Sequence, residues 1–129
     1  MDIKRREVAI YRLGRAKATL DDARLLAQSN RWNSAINRLY YAAFYAVTAL
    51  LTWENFDAAT HKGVKQLFSA HFIQTGKLPL ELGKVFSQLF SWRQKGDYDD
   101  LFDFNEEKVA PYIKPVEQLI EQVEKYLGK

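Results

Sequence analysis

Between Trp32 and Trp53 apolar side chains fall on nearly every side of a helix: Ala35, Ile36, Leu39, Tyr40, Ala42, Ala43, Phe44, Val47 and Leu50. A helix apolar all round has no solvent face, so it runs through the middle of its domain or lies against another subunit. Its longest apolar stretch, Leu39 to Thr52, is too short to span a bilayer. The segment therefore needs other helices around it, and four more segments supply them. From Ala9 the series Leu13, Ala16, Leu20, Ala23, Ala27 steps 4-3-4-3-4, a single stripe facing a partner helix. Thr60 is an N-cap residue for a third helix carrying Val64, Leu67, Phe68 and Phe72. Pro79 suits the first turn of a fourth, with Leu82, Val85, Phe86, Leu89 and Phe90 on one face. Asn105-Glu106-Glu107 opens a fifth, whose stripe runs Val109, Tyr112, Ile113, Val116, Leu119, Ile120, Val123, Leu127.

The breaks agree with this division. Ser29-Asn30 offers cap residues to the second helix, Gly76 ends the third and Gly96 stops the fourth. Pro111 and Pro115 predict a kink or a late start in the fifth. Nothing in the chain alternates as a strand does. The expected architecture is all-α: one domain over residues 1–129, an up-and-down antiparallel bundle of four to five helices.

Composition removes several kinds of chemistry. With no cysteine there is no disulfide, thiolate metal site or thiol nucleophile. The two histidines, His61 and His71, cannot hold zinc without carboxylate help, and no metal or cofactor is expected. The paired acids Asp99-Asp100 and Glu106-Glu107 read as solvated or capping groups around a helix start rather than a magnesium site. Met1 to Arg6 is charged and leads into no apolar run, so the reading is a cytoplasmic protein without a signal peptide. Charge is uneven. Residues 1–96 carry 15 Lys/Arg against 7 Asp/Glu, a net +8, whereas residues 97–129 carry 4 against 9, a net −5. Either the basic body attracts polyanions, or the acidic tail folds back and neutralises it.

Two arginine–tyrosine segments carry the chemistry. Arg38, Tyr41 and Tyr45 stand at i, i+3 and i+7 of the second helix. Arg93 continues the stripe of the fourth helix, seven residues after Phe86, and Asp97-Tyr98-Asp99-Asp100 follow closely. An arginine on an apolar stripe stays charged and needs an anionic partner. That partner is one of those aspartates, or it is a phosphate gripped in a guanidinium fork beside tyrosines that stack on a base. His61, at the start of the third helix, becomes a general acid/base candidate if folding brings it to Arg38 or Arg93. His71 reads as surface or packing.

The series Asn37-Arg38-x-Tyr40-Tyr41-Ala42, His61-Lys62-Gly63-Val64, Gly76-x-Leu78 and Arg93-x-Lys95-x-Asp97-Tyr98 resembles the HEPN superfamily, in particular its small stand-alone prokaryotic branch. The resemblance implies a dimerising bundle of four or five helices, often encoded beside a minimal nucleotidyltransferase as a toxin–antitoxin-like pair. Many such proteins are metal-independent ribonucleases with an arginine, four to six residues, then a histidine. Here Tyr98 stands where that histidine would be. An ordinary phenol, with a pKa of about 10, is a poor base beside imidazole. The motifs and the resemblance together leave three readings. The first is a nucleotide- or RNA-binding module, a homodimer with a nucleotidyltransferase-type partner, in which Arg38 and Arg93 hold phosphate and Tyr41, Tyr45, Asp97 and Tyr98 line the cleft. The second is a ribonuclease using Arg93 with His61 or Tyr98. The third, purely structural, has Arg93 bound to Asp97 or Asp100 and the protein serving only to hold a partner.

Overall fold

The computed structural model describes residues 2–98 and 103–128, with residues 95–98 as backbone alone. The helices are α1 Ile3–Gln28, α2 Trp32–Trp53, α3 His61–Phe68, α4 Leu80–Tyr98, α5 Glu106–Val109 and α6 Ile113–Tyr126. The single turn of α5, a 3-10 turn at Ala110–Tyr112 and α6 form one broken arm, so the described chain is the five-arm helical bundle expected.

α2 is the central helix. Thirteen of its 22 residues are buried, and it packs against α1, α3, α4 and α6. Its alanines Ala35, Ala42, Ala43, Ala46 and Ala49 are all buried, as are Ala9, Ala16 and Ala23 on α1, which lets the two backbones approach closely. Around them Phe68, Phe72, Phe86, Leu39, Leu50 and Leu89 are fully enclosed. Burial of each such side chain contributes about 1.5–3 kcal/mol. The α1 stripe is buried as spaced through Ala23, and Ala27 is half-buried at its end.

Ser29-Asn30 does not cap α2 as expected. Asn30 adopts φ 58° and ends α1 instead: its N–H bonds Ala27 O at 3.0 Å and Arg31 N–H bonds Leu26 O at 2.9 Å. The same pair of bonds recurs after α2, where Asn55 has φ 65° and Phe56 N–H reaches Leu51 O at 2.8 Å. Asparagine tolerates the left-handed conformation, so it serves both helices as the terminal residue that glycine more often supplies. α2 itself has Arg31 at its N-cap, with no side-chain capping bond.

Thr60 and Asn105 cap as expected, accepting from Gly63 N–H at 2.9 Å and Lys108 N–H at 2.9 Å. Pro111 lies in the 3-10 turn, which is the break expected there, and Pro115 is the third residue of α6, where a missing N–H costs little. Two features differ from expectation. α4 continues through Gly96 to Tyr98, and α3 runs on into a π-helical turn at Ser69–Ile73 before Gly76, at φ 75°, ends it.

The acidic C-terminal arm does fold back. Glu117 and Glu124 on α6 pair with Arg24 and Lys17 on α1. Among the described residues no helix is long and apolar enough to cross a membrane.

Candidate functional site

Three elements meet around one buried phenol. α2 contributes Asn37, Arg38, Tyr40, Tyr41, Phe44 and Tyr45; the first residue of α3 contributes His61; α4 contributes Arg93. Tyr40 is completely enclosed, while Arg38, Tyr41, Phe44, Tyr45, His61 and Arg93 are half-buried.

Arg38 and Arg93 flank the same ring. The Arg38 guanidinium lies 5.2 Å from the centroid of Tyr41, and that of Arg93 lies 5.8 Å from it and 5.6 Å from Tyr40. Arg93 Nε also donates to Tyr41 Oη at 3.3 Å. Arg38 is steered by its neighbour, with Nε and Nη2 donating to Asn37 Oδ1 at 3.1 and 2.8 Å. Such a neutral acceptor orients the guanidinium without cancelling its charge. Among the described residues Arg38 forms no ion pair.

Folding does bring His61 to Arg93. Its ring stacks on Phe44 at 4.2 Å between centroids and meets Tyr41 edge-on at 6.0 Å. Nδ1 of His61 and Tyr40 Oη are hydrogen-bonded at 2.8 Å. Burial, and then the positive charge of Arg93, push the imidazole below its usual 6.5, so it is neutral at physiological pH. Burial pushes the Tyr40 phenol well above 10, against the opposing pull of Arg93. Tyr40 is therefore an intact phenol that can donate to Nδ1 or accept from it. In either case Nε2 is left for another partner.

Of the residues singled out from sequence, the fold gathers Arg38, Tyr41, Tyr45, His61 and Arg93 into one cluster. Asp97 and Tyr98 follow Arg93 on α4 as backbone, and their side chains lie outside the described residues, as do Asp99 and Asp100 altogether. His71 stacks on Phe56 at 4.3 Å, a packing role away from the cluster. Sequence reasoning missed Tyr40 as the partner of His61, although it lies inside the arginine–tyrosine motif. It also missed Arg12 and Arg15 of α1, which no local pattern ties to α2. Arg15 stands 5.5 Å over the Tyr45 ring, and Arg12 Nη1 donates to Thr52 Oγ1 at 2.7 Å. Among the described residues no three His, Cys, Asp or Glu side chains could hold a metal together.

Comparison with known proteins converges on one family. The model of the HEPN domain matches residues 9–126. A UPF0332 protein of Thermotoga maritima is 40% identical over 124 residues, covering 96% of this chain and 94% of its own. Two proteins of Methanocaldococcus jannaschii that bear the name "putative toxin" are 29% and 28% identical. The first match covers 88% of this chain and 77% of that protein, the second 87% and 83%.

Proposed function

Because the chain belongs to the HEPN domain family, we propose that it binds the phosphate of a nucleotide or of single-stranded RNA between Arg38 and Arg93. It does so as one member of a toxin–antitoxin-like pair whose other member is a minimal nucleotidyltransferase. The observation that carries this reading is the placement of two guanidiniums from separate helices on one tyrosine ring. Two guanidiniums near one half-buried ring raise the local positive potential, which favours an anion that can accept hydrogen bonds from them. Tyr41 supplies an aromatic face on which the base of that nucleotide stacks, and Tyr45 lies 6.3 Å further along. The toxin name of two relatives supports the pairing.

A homodimer fits the outer face of α1, where Ile3, Tyr11 and Leu25 are 73%, 68% and 62% exposed. Large apolar groups left in water along one helix face favour a second copy.

Uridine monophosphate and a uridine hexanucleotide, titrated against wild type, Arg93→Ala and Arg38→Ala, test the reading. Each substitution is expected to weaken both ligands by about tenfold or more, the effect of losing a charge-assisted hydrogen bond. Unchanged affinity in both variants would remove the proposal.

One observation favours a second reading, metal-independent RNA cleavage: a neutral imidazole lies beside Arg93, and its Nε2 has no hydrogen-bond partner among the described residues. Nε2 of His61 would take the proton of a ribose 2′-hydroxyl as its oxygen attacks the adjacent phosphorus. The 5′-oxygen would leave with a proton from the imidazolium or from Tyr98, and Arg93 would stabilise the charge gathered on phosphorus. Incubating RNA with the protein in chelator, with wild type beside Arg93→Ala and His61→Gln, checks it. Cleavage that survives both substitutions would refute this reading.

A further inference from the structure

A second cationic feature adjoins the Arg38–Arg93 cluster and is not used by it. Bordering His61, a groove of about 280 Å³ runs between α1, α2 and the segment leading into α3. Its walls are Arg12, Phe44, Tyr45, Thr48, His61 and the Ala58–Thr60 stretch. That is near the lower end of the volumes that hold small organic ligands. One wall is aromatic; Arg12 brings a positive charge to it, and Arg15 lies next to it over the Tyr45 ring. Arg12 is tethered through Thr52, and Arg15, exposed, rests over Tyr45. Among the described residues neither arginine forms an ion pair, in contrast to Lys17 and Arg24 on the same helix.

The spacing links this groove to the first site. Tyr41 lies under Arg38 and Tyr45 lies under Arg15, and the two tyrosine rings are 6.3 Å apart, with His61 beside Tyr41. Two arginine–tyrosine pairs stand side by side along α2, with Arg38 half-buried on α2 and Arg15 exposed and reaching in from α1, and form a track of cation over ring. The separation is of the order of one nucleotide step in an extended single strand. A track of alternating charge and ring suits single-stranded nucleic acid, whose phosphates and bases alternate in the same way.

We propose that the groove lined by Arg12 and Tyr45, with Arg15 over the Tyr45 ring, is a second nucleotide subsite. A single RNA strand would then run from the Arg38–Arg93 phosphate position past His61, with the next base against Tyr45 and the next phosphate on Arg15. This rests on the phosphate-binding reading above and sharpens it: the ligand is an oligonucleotide and not a mononucleotide.

The test uses the full chain, uridine monophosphate, a uridine hexanucleotide and three variants: Arg15→Gln, Tyr45→Leu and Arg93→Ala. Helicity and thermal midpoint confirm that each variant is folded. In wild type the hexanucleotide should bind at least tenfold more tightly than the monophosphate. Arg15→Gln and Tyr45→Leu should each cut that preference by about five- to a hundredfold, the range of a lost base stack or phosphate contact. Arg15→Gln should also flatten the plot of log affinity against log salt by about one unit, whereas Tyr45→Leu should leave the slope unchanged. A structural role for either side chain would not separate the two readouts. A preference that survives both substitutions, or a loss shared equally by both ligands, overturns the second subsite. If Arg93→Ala still weakens both ligands in that case, the first reading stands without it. If wild type binds neither ligand, both fall together.

Discussion

His61 is held neutral by two causes that act in the same direction: partial burial and the nearby charge of Arg93. Both bear on the folded state alone, so its folded pKa lies below the unfolded 6.5 and protonation favours unfolding. The contribution is fully present above the unfolded value and is lost as pH falls through the folded one. Over the interval below about pH 6.5, stability of wild type should thus decline with falling pH in a way that His61→Gln does not share. Denaturant midpoints measured across that interval for both proteins check this; parallel curves would show that the imidazole is not perturbed. Replacing Arg93 with a neutral residue should raise the His61 titration midpoint, which the imidazole resonances would report.

At the scale of elements, one substitution should have opposite signs at two glycines. A methyl group on Gly83 would lie 2.9 Å from Ile73 Cγ2 and 3.0 Å from its Cγ1, because α4 presses against the π-helical turn there. Gly83→Ala gains about 1 kcal/mol of helix propensity but overpacks a branched, buried side chain, for a net loss of about 1–2 kcal/mol. Gly14, on the exposed side of α1, would meet nothing within 4 Å, so Gly14→Ala should stabilise by up to about 1 kcal/mol. Urea midpoints of the two variants decide it, and a stabilised Gly83→Ala would mean that Ile73 yields freely. This contrast could not be read from the chain, since nothing in Ser69–Ile73 announces a π turn. Caps that work through their own side chain were legible: Thr60 and Asn105 bond the N–H groups three residues on. Asn30 was not, because asparagine serves equally as an N-cap or as a left-handed terminus, and the choice depends on how α1 and α2 pack.

For the whole molecule, the order and faces of the helices were legible because each stripe has a helical period and only one way to be buried. The arginine–tyrosine motifs were legible as types of residue. Their meeting with His61, 32 residues before Arg93 and on another helix, depends on tertiary packing that periodicity does not encode. The charge asymmetry was legible too, and its outcome is mixed: the acidic arm engages α1 through Glu117 and Glu124, at a distance from Arg12, Arg15 and Arg38. These ion pairs are partly exposed, so Glu117→Gln with Glu124→Gln should cost no more than about 2 kcal/mol, less at high salt. Affinity for the uridine hexanucleotide should hold within about twofold, because a Debye length of about 8–10 Å screens charges on the far flank. Denaturation at two salt concentrations, with a parallel binding titration, checks both parts; a tenfold change in affinity would show that the arm reaches the RNA.

α1 has two edges with separate duties. Counting around its turns, Lys17 and Arg24 fall to one side of the buried stripe and Arg12 and Arg15 to the other. One margin is riveted to the closing arm, and the opposite margin borders the groove beside His61. Fastening and groove chemistry can therefore be tuned independently along a single rod, and a more heat-resistant form can be engineered from the riveted margin without altering the one beside His61.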